Sequence, residues 1–185
     1  MQHVFNLSIK LGIILILPIS AVAKDIMIEK FERQPETRWS FITDGVMGGV
    51  STGTVTFLTE DNQTYAHMTG NVSTENNGGF IQMRMELPAG ASEDATGVRL
   101  FVRGNEQLYF VHLRTSGTVL PWHYYQAGFD VTSAWKEVKL PFDAFKRSNP
   151  LLGTVLHPNR VKSIAIVAYG RNHAAEIDTR QVGFY

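Results

Sequence analysis

The most constraining feature of this sequence is a strict alternation of apolar and polar residues in short runs. Residues Ile81–Leu87 read Ile-Gln-Met-Arg-Met-Glu-Leu, and stretches 98–103 and 109–114 repeat the two-residue period. A period of two places successive side chains on opposite faces of a half-buried strand. The alternation therefore predicts strands that each turn one face to a core and the other to solvent.

Further segments with β-type sequence occur along the rest of the chain. They are residues 54–59, 64–69, 122–131, 136–141, 161–169 and 176–184. Residues 104–107 (Gly-Asn-Glu-Gln) form a turn signal, which predicts a hairpin between strands 98–103 and 109–114. The strongest helix candidate is a single turn at Asp143–Lys146.

Strands without helical crossovers favour antiparallel pairing, because parallel strands need connections long enough to hold a helix. We expect an all-β fold, an antiparallel β-sandwich of the jelly-roll type, formed by one domain over residues 24–185. A closed barrel is the alternative, since periodicity alone cannot separate the two.

The N-terminal segment has the features of an export signal. Residues 11–23 form a short apolar run after Lys10 and end in Ala-Val-Ala, the small-x-small pattern that signal peptidase cleaves. We expect a signal peptide at 1–23, an exported protein that is periplasmic or secreted, and no stable membrane span after cleavage. An uncleaved anchor is the alternative, although the run is shorter than the roughly 20 apolar residues of a span.

Composition excludes several kinds of site. The chain has no cysteine, so it forms no disulfide, thiolate metal site or lipid-modified N-terminus. Its 17 basic and 17 acidic residues balance, and no basic stripe is present. We therefore expect no nucleic-acid partner, because such binding requires clustered Lys and Arg.

One short motif resembles a catalytic signature. Residues 49–53 (Gly-Val-Ser-Thr-Gly) match the Gly-x-Ser-x-Gly nucleophile elbow, in which the serine stands on a turn between a strand and a helix. Here β-type sequence follows, so the glycines indicate a tight turn instead. We expect no catalytic residues, and a hydrolase using Ser51 is the least favoured hypothesis.

Metal ligands are equally weak in the sequence. The histidines show no His-x-His or His-Glu-x-x-His spacing for zinc. Asp44, Glu75, Asn76 and Asn77 are possible calcium donors but also ordinary turn residues. We expect no metal and no cofactor.

An aromatic cluster at residues 122–125 (Trp-His-Tyr-Tyr) is the strongest ligand-binding signal. In a strand, Trp122 and Tyr124 share one face and could form a platform for a sugar ring. Arg103 and Arg114 occupy polar positions of neighbouring predicted strands and could border such a platform. The alternative is that the aromatics fill the core and the arginines face solvent.

Two blocks of sequence carry a family resemblance. They are residues 44–51 (Asp-Gly-Val-Met-Gly-Gly-Val-Ser) and 70–80, which contains Glu-Asn-Asn-Gly-Gly-Phe. With Trp39, Trp135 and the Leu-Pro-Phe at 140–142, they resemble the complex I intermediate-associated protein 30 family over residues 29–185. The resemblance implies a jelly roll similar to galactose-binding domains. Mitochondrial members are assembly factors, but an export signal separates this chain from that compartment.

The two blocks also predict loops at one end of the sandwich. Asp44 and Asn76 can cap backbone amides, and Met47 between glycines forms a flexible apolar tip. These loops either bind a partner or pack against each other. We therefore rank an exported protein-binding factor first, a carbohydrate-binding module second and a hydrolase third.

Overall fold

A computed structural model describes residues 25–185, so the expected signal peptide at 1–23 lies outside the described residues. Within that range the chain forms strands joined by loops and short 3-10 helices. The strands are β1 (Ile26–Glu29), β2 (Trp39–Thr43), β3 (Thr52–Glu60), β4 (Gln63–Val72), β5 (Phe80–Glu86), β6 (Gly97–Gly104), β7 (Leu108–Thr115), β8 (Tyr125–Asp130), β9 (Lys136–Pro141), β10 (Lys146–Arg147), β11 (Val161–Tyr169) and β12 (His173–Phe184).

These strands form two sheets, and within each sheet every pair of neighbouring strands is antiparallel. Sheet A has the order β3-β4-β12-β6-β9, with β1 added on β12. Sheet B has the order β10-β8-β7-β11-β5-β2. The predicted antiparallel β-sandwich is confirmed, and two separate sheets replace the closed barrel that was the alternative.

The core lies between the inner faces of the two sheets. Sheet A contributes Met68, Leu100 and Ile177, and sheet B contributes Met83 and Ile166, all with no solvent exposure. Each of these positions alternates with an outward residue, as a period of two requires. Burying such a side chain contributes about 1.5–3 kcal/mol, so the facing apolar rows hold the sheets together.

The predicted hairpin between strands β6 and β7 is wrong. β6 pairs with β12 and β9 in sheet A, whereas β7 pairs with β11 and β8 in sheet B. The connection crosses from one sheet to the other. The Tyr109 hydroxyl secures this corner, 2.7 Å from Asn105 Oδ1 and 2.8 Å from the Glu176 amide that donates to it. Alternation assigned the inward face of both strands correctly but carries no information about which strand is the neighbour.

Smaller differences concern the ends of elements. The strand expected at 122–131 begins only at Tyr125, and strands β1, β2 and β10 were not predicted. The predicted helical turn corresponds to a 3-10 helix at Phe142–Ala144. No helix of residues 25–185 is long and apolar enough to cross a membrane.

Candidate functional site

A groove of about 410 Å³ lies on the outer face of sheet B. Its floor follows from the register of the central strands. Ala165 on β11 lies between Arg84 on β5 and His112 on β7, and Ser163 on the same strand is paired with Arg114. Small side chains on the central strand and long ones on both neighbours leave a depression along β11.

The loop between β7 and β8 forms one wall of the groove. Pro121, Trp122 and Tyr124 line it, and the Trp122 side chain is 53% exposed. The Ser148 hydroxyl bridges this wall, accepting from the Tyr124 amide at 3.0 Å and donating to the Trp122 carbonyl at 2.8 Å. Arg114 Nη2 donates to the Thr118 carbonyl at 3.0 Å, so the base of the loop is also fixed.

Two side chains of the aromatic cluster thus face the groove, as their shared face in the sequence suggested, although only Tyr125 of the cluster belongs to a strand. Trp122 and Tyr124 line the groove, while His123 and Tyr125 are buried beneath them. Whether a ligand uses this wall remains a prediction.

The two sequence blocks form the opposite wall. Val46 and Met47 of the first block and Asn77 and Gly78 of the second line the groove. Val46 is 74% exposed and Met47 is 51% exposed, so the wall presents apolar tips to solvent.

Asp44 joins the two blocks from inside. Its carboxylate is fully buried and accepts hydrogen bonds from the amides of Ser51 at 2.9 Å and Phe80 at 3.2 Å, and from the Gly79 amide and the Ser51 hydroxyl. Burial alone would raise the pKa of Asp44, but these hydrogen bonds outweigh it and hold the pKa below its ordinary value. Asp44 therefore positions the wall, and its fully buried carboxylate is not accessible to a ligand or calcium ion.

The glycines of the two blocks are required by this carboxylate. A Cβ added to Gly49 or Gly78 would overlap the Asp44 side chain. Gly48 has a φ of 88°, a left-handed conformation that glycine adopts without strain. The repeated glycines in the two blocks therefore serve a buried hydrogen-bond hub.

The same hub accounts for Ser51. Its hydroxyl contacts the Asp44 carboxylate and accepts from the Ser73 amide at 2.9 Å, and the residue is buried. No histidine of residues 25–185 hydrogen-bonds to it. The strand-turn-helix context of a nucleophile elbow is absent as well, because β3 follows directly.

Glu75 and Asn76 lie away from the groove. They belong to an exposed 3-10 helix at Glu75–Asn77, in which Asn76 has a φ of 54°. Only Asn77 of the three faces the groove. Within residues 25–185, no three His, Cys, Asp or Glu side chains gather closely enough to hold a metal ion.

Arg103 is not at the platform where the sequence placed it. It lies on the outer face of sheet A, with Nε 2.7 Å from Asp178 Oδ2, Nη1 3.0 Å from Glu60 Oε2 and its guanidinium 4.5 Å from the Trp135 ring centroid. The error follows from the incorrect hairpin prediction, which made strand 98–103 a neighbour of strand 109–114.

His112 is a groove residue that the sequence analysis did not single out. Its ring stacks on that of Tyr124, its exposure is 8%, and its Nε2 has no hydrogen-bond partner in residues 25–185. Burial lowers the pKa of His112 to about 3, so the ring is neutral at neutral pH. Burial also raises the pKa of Tyr124, and the neighbouring Tyr169 hydroxyl adds to this effect. The sequence signal available for His112 was its position two residues before Arg114, on the same outward face of β7.

Arg84 was also missed. It lines the groove together with Arg114, and burial and the positive charge of Arg114 lower the pKa of Arg84. Arg84 is an outward residue of the strictly alternating segment Ile81–Leu87, so its face was predictable although its neighbours were not.

Solved structures with the same fold include carbohydrate-binding modules. The chain is similar to the family 11 module of the cellulosomal cellulase Lic26A-Cel5E of Clostridium thermocellum, with a TM-score of 0.71, 15% identity, and coverage of 89% of this chain and 95% of that one. The family 11 module from that organism in complex with a β-1,3-1,4-mixed-linked tetrasaccharide matches with a TM-score of 0.71, 14% identity, and coverage of 89% and 96%. A family 30 module of the cellulase Cel9D-Cel44B of Clostridium thermocellum matches with a TM-score of 0.56, 12% identity, and coverage of 88% and 97%. These likenesses show a shared fold.

No curated protein matches the chain. The family model of complex I intermediate-associated protein 30 matches residues 29–179, which hold both sequence blocks and most of the two sheets. The resemblance carried by those blocks is thereby confirmed. The chain belongs to the complex I intermediate-associated protein 30 family.

Proposed function

We propose that this chain is a non-catalytic carbohydrate-binding protein whose groove on sheet B holds a segment of a glycan. The aromatic wall of the groove carries the proposal. Trp122 offers an exposed indole, and Tyr124 stacks on His112 with the ring centroids 3.9 Å apart. Flat aromatic surfaces suit the apolar C–H faces of sugar rings, and hydroxyl groups then need polar partners at the edges.

Such polar partners are present on the floor and the opposite wall. His112 Nε2 is unpartnered in residues 25–185, and Gln82, Ser163 and Asn77 line the same groove. A neutral imidazole, amides and a hydroxyl can each donate to or accept from a sugar hydroxyl. The combination of apolar walls and a few convergent polar groups is typical of small-molecule sites.

The size of the groove favours a glycan segment over a large protein partner as its ligand. Its volume of about 410 Å³ falls within the roughly 300–1,000 Å³ of small-ligand sites. A stable protein–protein interface buries about 800 Å² on each partner, far more than the floor of such a groove offers. The similar fold of the carbohydrate-binding modules agrees with this proposal but does not carry it, because the identity is 14–15%.

A glycan array followed by calorimetry tests the proposal. We expect the domain to bind at least one class of oligosaccharide, and Trp122→Ala and Tyr124→Ala to weaken that binding at least tenfold. Val119→Ala is the matched control, because Val119 belongs to the same loop and is 80% exposed but does not line the groove. An array without any binder, or equal affinity in Trp122→Ala, would reject the proposal.

A second candidate is a protein-binding role such as that of an assembly factor. Family membership favours it, and so do the exposed apolar side chains of the two loops that form the walls of the groove. These are Val46 (74%), Met47 (51%), Val119 (80%), Leu120 (37%) and Trp122 (53%). Photo-crosslinking from position 46 in envelope extracts should capture a defined protein. Met47→Asp should abolish this crosslink and Leu151→Asp should retain it, since Leu151 is an exposed side chain that does not line the groove.

We also propose that the protein acts outside the cytoplasm. The apolar run at 11–23 with its Ala-Val-Ala end supports this. Cell fractionation and N-terminal sequencing test it, and the expected mature chain begins at Lys24. A full-length N-terminus in the cytoplasmic fraction would overturn the proposal.

A further inference from the structure

Two arginine side chains lie on either side of the groove floor. Arg84 on β5 and Arg114 on β7 flank the central strand β11, where Ala165 is paired with Arg84 and Ser163 with Arg114. Two strand spacings separate β5 from β7, which is about 9.6 Å. Both side chains line the groove over the small side chains of β11, and Nη2 of Arg114 is held by the loop carbonyls of Thr118 at 3.0 Å and Leu120 at 3.2 Å.

Neither arginine has an acidic partner. Within residues 25–185, no carboxylate lies within 4 Å of Arg84 or Arg114, whereas Arg99, Arg103 and Arg180 on sheet A all form ion pairs. Glu86 attracts Arg84 from the same strand but is an exposed residue beyond ion-pair distance. Burial lowers the pKa of Arg84, and the positive charge of Arg114 lowers it further.

Buried donors at the same place also lack partners. Arg114 Nε is buried without a hydrogen bond, although Nη2 of the same side chain holds the loop carbonyl of Thr118 at 3.0 Å. Among residues 25–185, His112 Nε2 also lacks a partner within hydrogen-bond distance, although the Gln126 side chain on the neighbouring strand β8 lies close enough to raise the pKa of His112. Buried polar atoms are nearly always satisfied in folded proteins, so the bare Nε donor of Arg114, a residue that lines the groove, indicates a missing acceptor.

We propose that the glycan carries an anionic substituent, a carboxylate or a sulfate ester, and that Arg84 and Arg114 bind this group in the groove. This inference rests on the proposed carbohydrate-binding function and narrows it to acidic glycans. A guanidinium donates two parallel N–H bonds to two oxygens of a carboxylate or sulfate, and the pairing is stronger than a neutral hydrogen bond. Trp122 then contacts the sugar ring, and His112 binds a hydroxyl.

Calorimetry with paired oligosaccharides tests the inference. The carboxylate pair is an oligogalacturonate and its fully methyl-esterified form, and the sulfate pair is a κ-carrageenan oligosaccharide and its desulfated form. We expect the acidic member of one pair to bind at least tenfold more tightly than its neutral partner. Arg84→Gln should remove that preference, because it weakens binding of the acidic member at least tenfold more than binding of the neutral member. Arg99→Gln, on sheet A, is the control and should retain the preference.

The remaining outcomes separate this inference from the proposed function. Equal binding of acidic and neutral members, with no effect of Arg84→Gln, would overturn the anionic ligand and leave a neutral glycan-binding protein. Absence of binding to any glycan would overturn both. If poly-glutamate binds in a manner that depends on Arg84 and the oligosaccharides do not bind, the groove binds an acidic peptide. That result would reject the proposal that the ligand is a glycan.

Discussion

The imidazole ring of His112 lies flat against the phenol ring of Tyr124, with centroids 3.9 Å apart and ring planes inclined by 9°. The contact joins the sheet, through β7, to the loop that forms the aromatic wall. It also removes His112 from solvent and keeps the ring neutral, since burial lowers its pKa to about 3. The stacking therefore couples the shape of the groove to the protonation of one side chain.

The first prediction concerns acid stability. The unfolded chain protonates His112 near pH 6.5, whereas the folded chain resists protonation until about pH 3. Between these values the unfolded state binds more protons, so the free energy of unfolding falls as the pH falls, by up to about 1.4 kcal/mol per pH unit. Urea titrations from pH 7 to pH 4.5 should show a loss of about 2.5 kcal/mol from this residue.

His112→Phe isolates that contribution, because phenylalanine can stack on Tyr124 but does not titrate. His173 acts in the same direction as His112, because burial lowers its pKa. The pKa values of Glu29 and Asp44 are also lowered, but these carboxylates reduce the stability only when the pH falls to the pKa values that they have in the unfolded chain. The variant should therefore lose less stability than wild type between pH 6.5 and 4.5. Parallel curves of unfolding free energy against pH for wild type and His112→Phe would contradict the prediction that His112 is buried and neutral.

The second prediction concerns the hub at Asp44. Asp44→Ala leaves the buried amides of Ser51, Gly79 and Phe80 without their acceptor. We expect a loss of about 3–5 kcal/mol in the free energy of unfolding, because several buried donors are orphaned together. Asp130→Ala, at an exposed position at the end of β8, is the control and should change stability little. A loss below about 1 kcal/mol would show that the loops are held by other contacts.

The third prediction concerns the close approach of β3 and β4. Gly53 and Gly70 are register partners, and a Cβ on Gly70 would overlap the Thr52 carbonyl oxygen and lie 2.9 Å from Ile81 Cδ1 of the opposite sheet. Gly70→Ala should cost about 1–3 kcal/mol because backbone has to move. Gly117→Ala, whose new Cβ would be 3.7 Å from its nearest neighbour, should be nearly neutral in thermal unfolding. Equal effects of the two substitutions would contradict the close approach.

The fourth prediction separates Arg103 from ligand binding. Arg103→Gln breaks the pairing with Asp178 and the contact with Trp135, so we expect a loss of about 1–2 kcal/mol in unfolding experiments, reduced by the partial exposure of Glu60. Oligosaccharide affinity should stay at the wild-type value, because Arg103 is on sheet A and the groove is on sheet B. Reduced affinity in a folded Arg103→Gln protein would place the ligand elsewhere.

The fold was largely predictable because alternation reports which side chains face a core. Val98, Leu100 and Val102 were correctly expected to point inward, and so were Tyr109 and Val111. Which strand lies beside which depends on contacts between distant segments, and the turn at 104–107 resembled a hairpin turn. The hydrogen bonds of Tyr109 across the sheets, which mark a corner, have no local signature.

The candidate site was predictable only in part for the same reason. Trp122, Tyr124, Met47, Asn77 and Arg114 line the groove and were recognised from their residue types and local spacing. Arg84 and His112 join them through the pairing of β5 and β7 with β11, which no local pattern reveals. Asp44 was recognised as important, but the sequence could not distinguish a residue that contacts a ligand from one that is buried beneath the loop.

The position of β11 at the centre of the groove floor determines when the site can form. β11 separates β5 from β7, so Arg84 and Arg114 come together only after residues 161–169 have inserted between their strands. Pairings between such distant segments close large loops and form slowly during folding. A chain that ends before residue 161 would contain both arginines and the aromatic wall, yet it could not assemble a binding site.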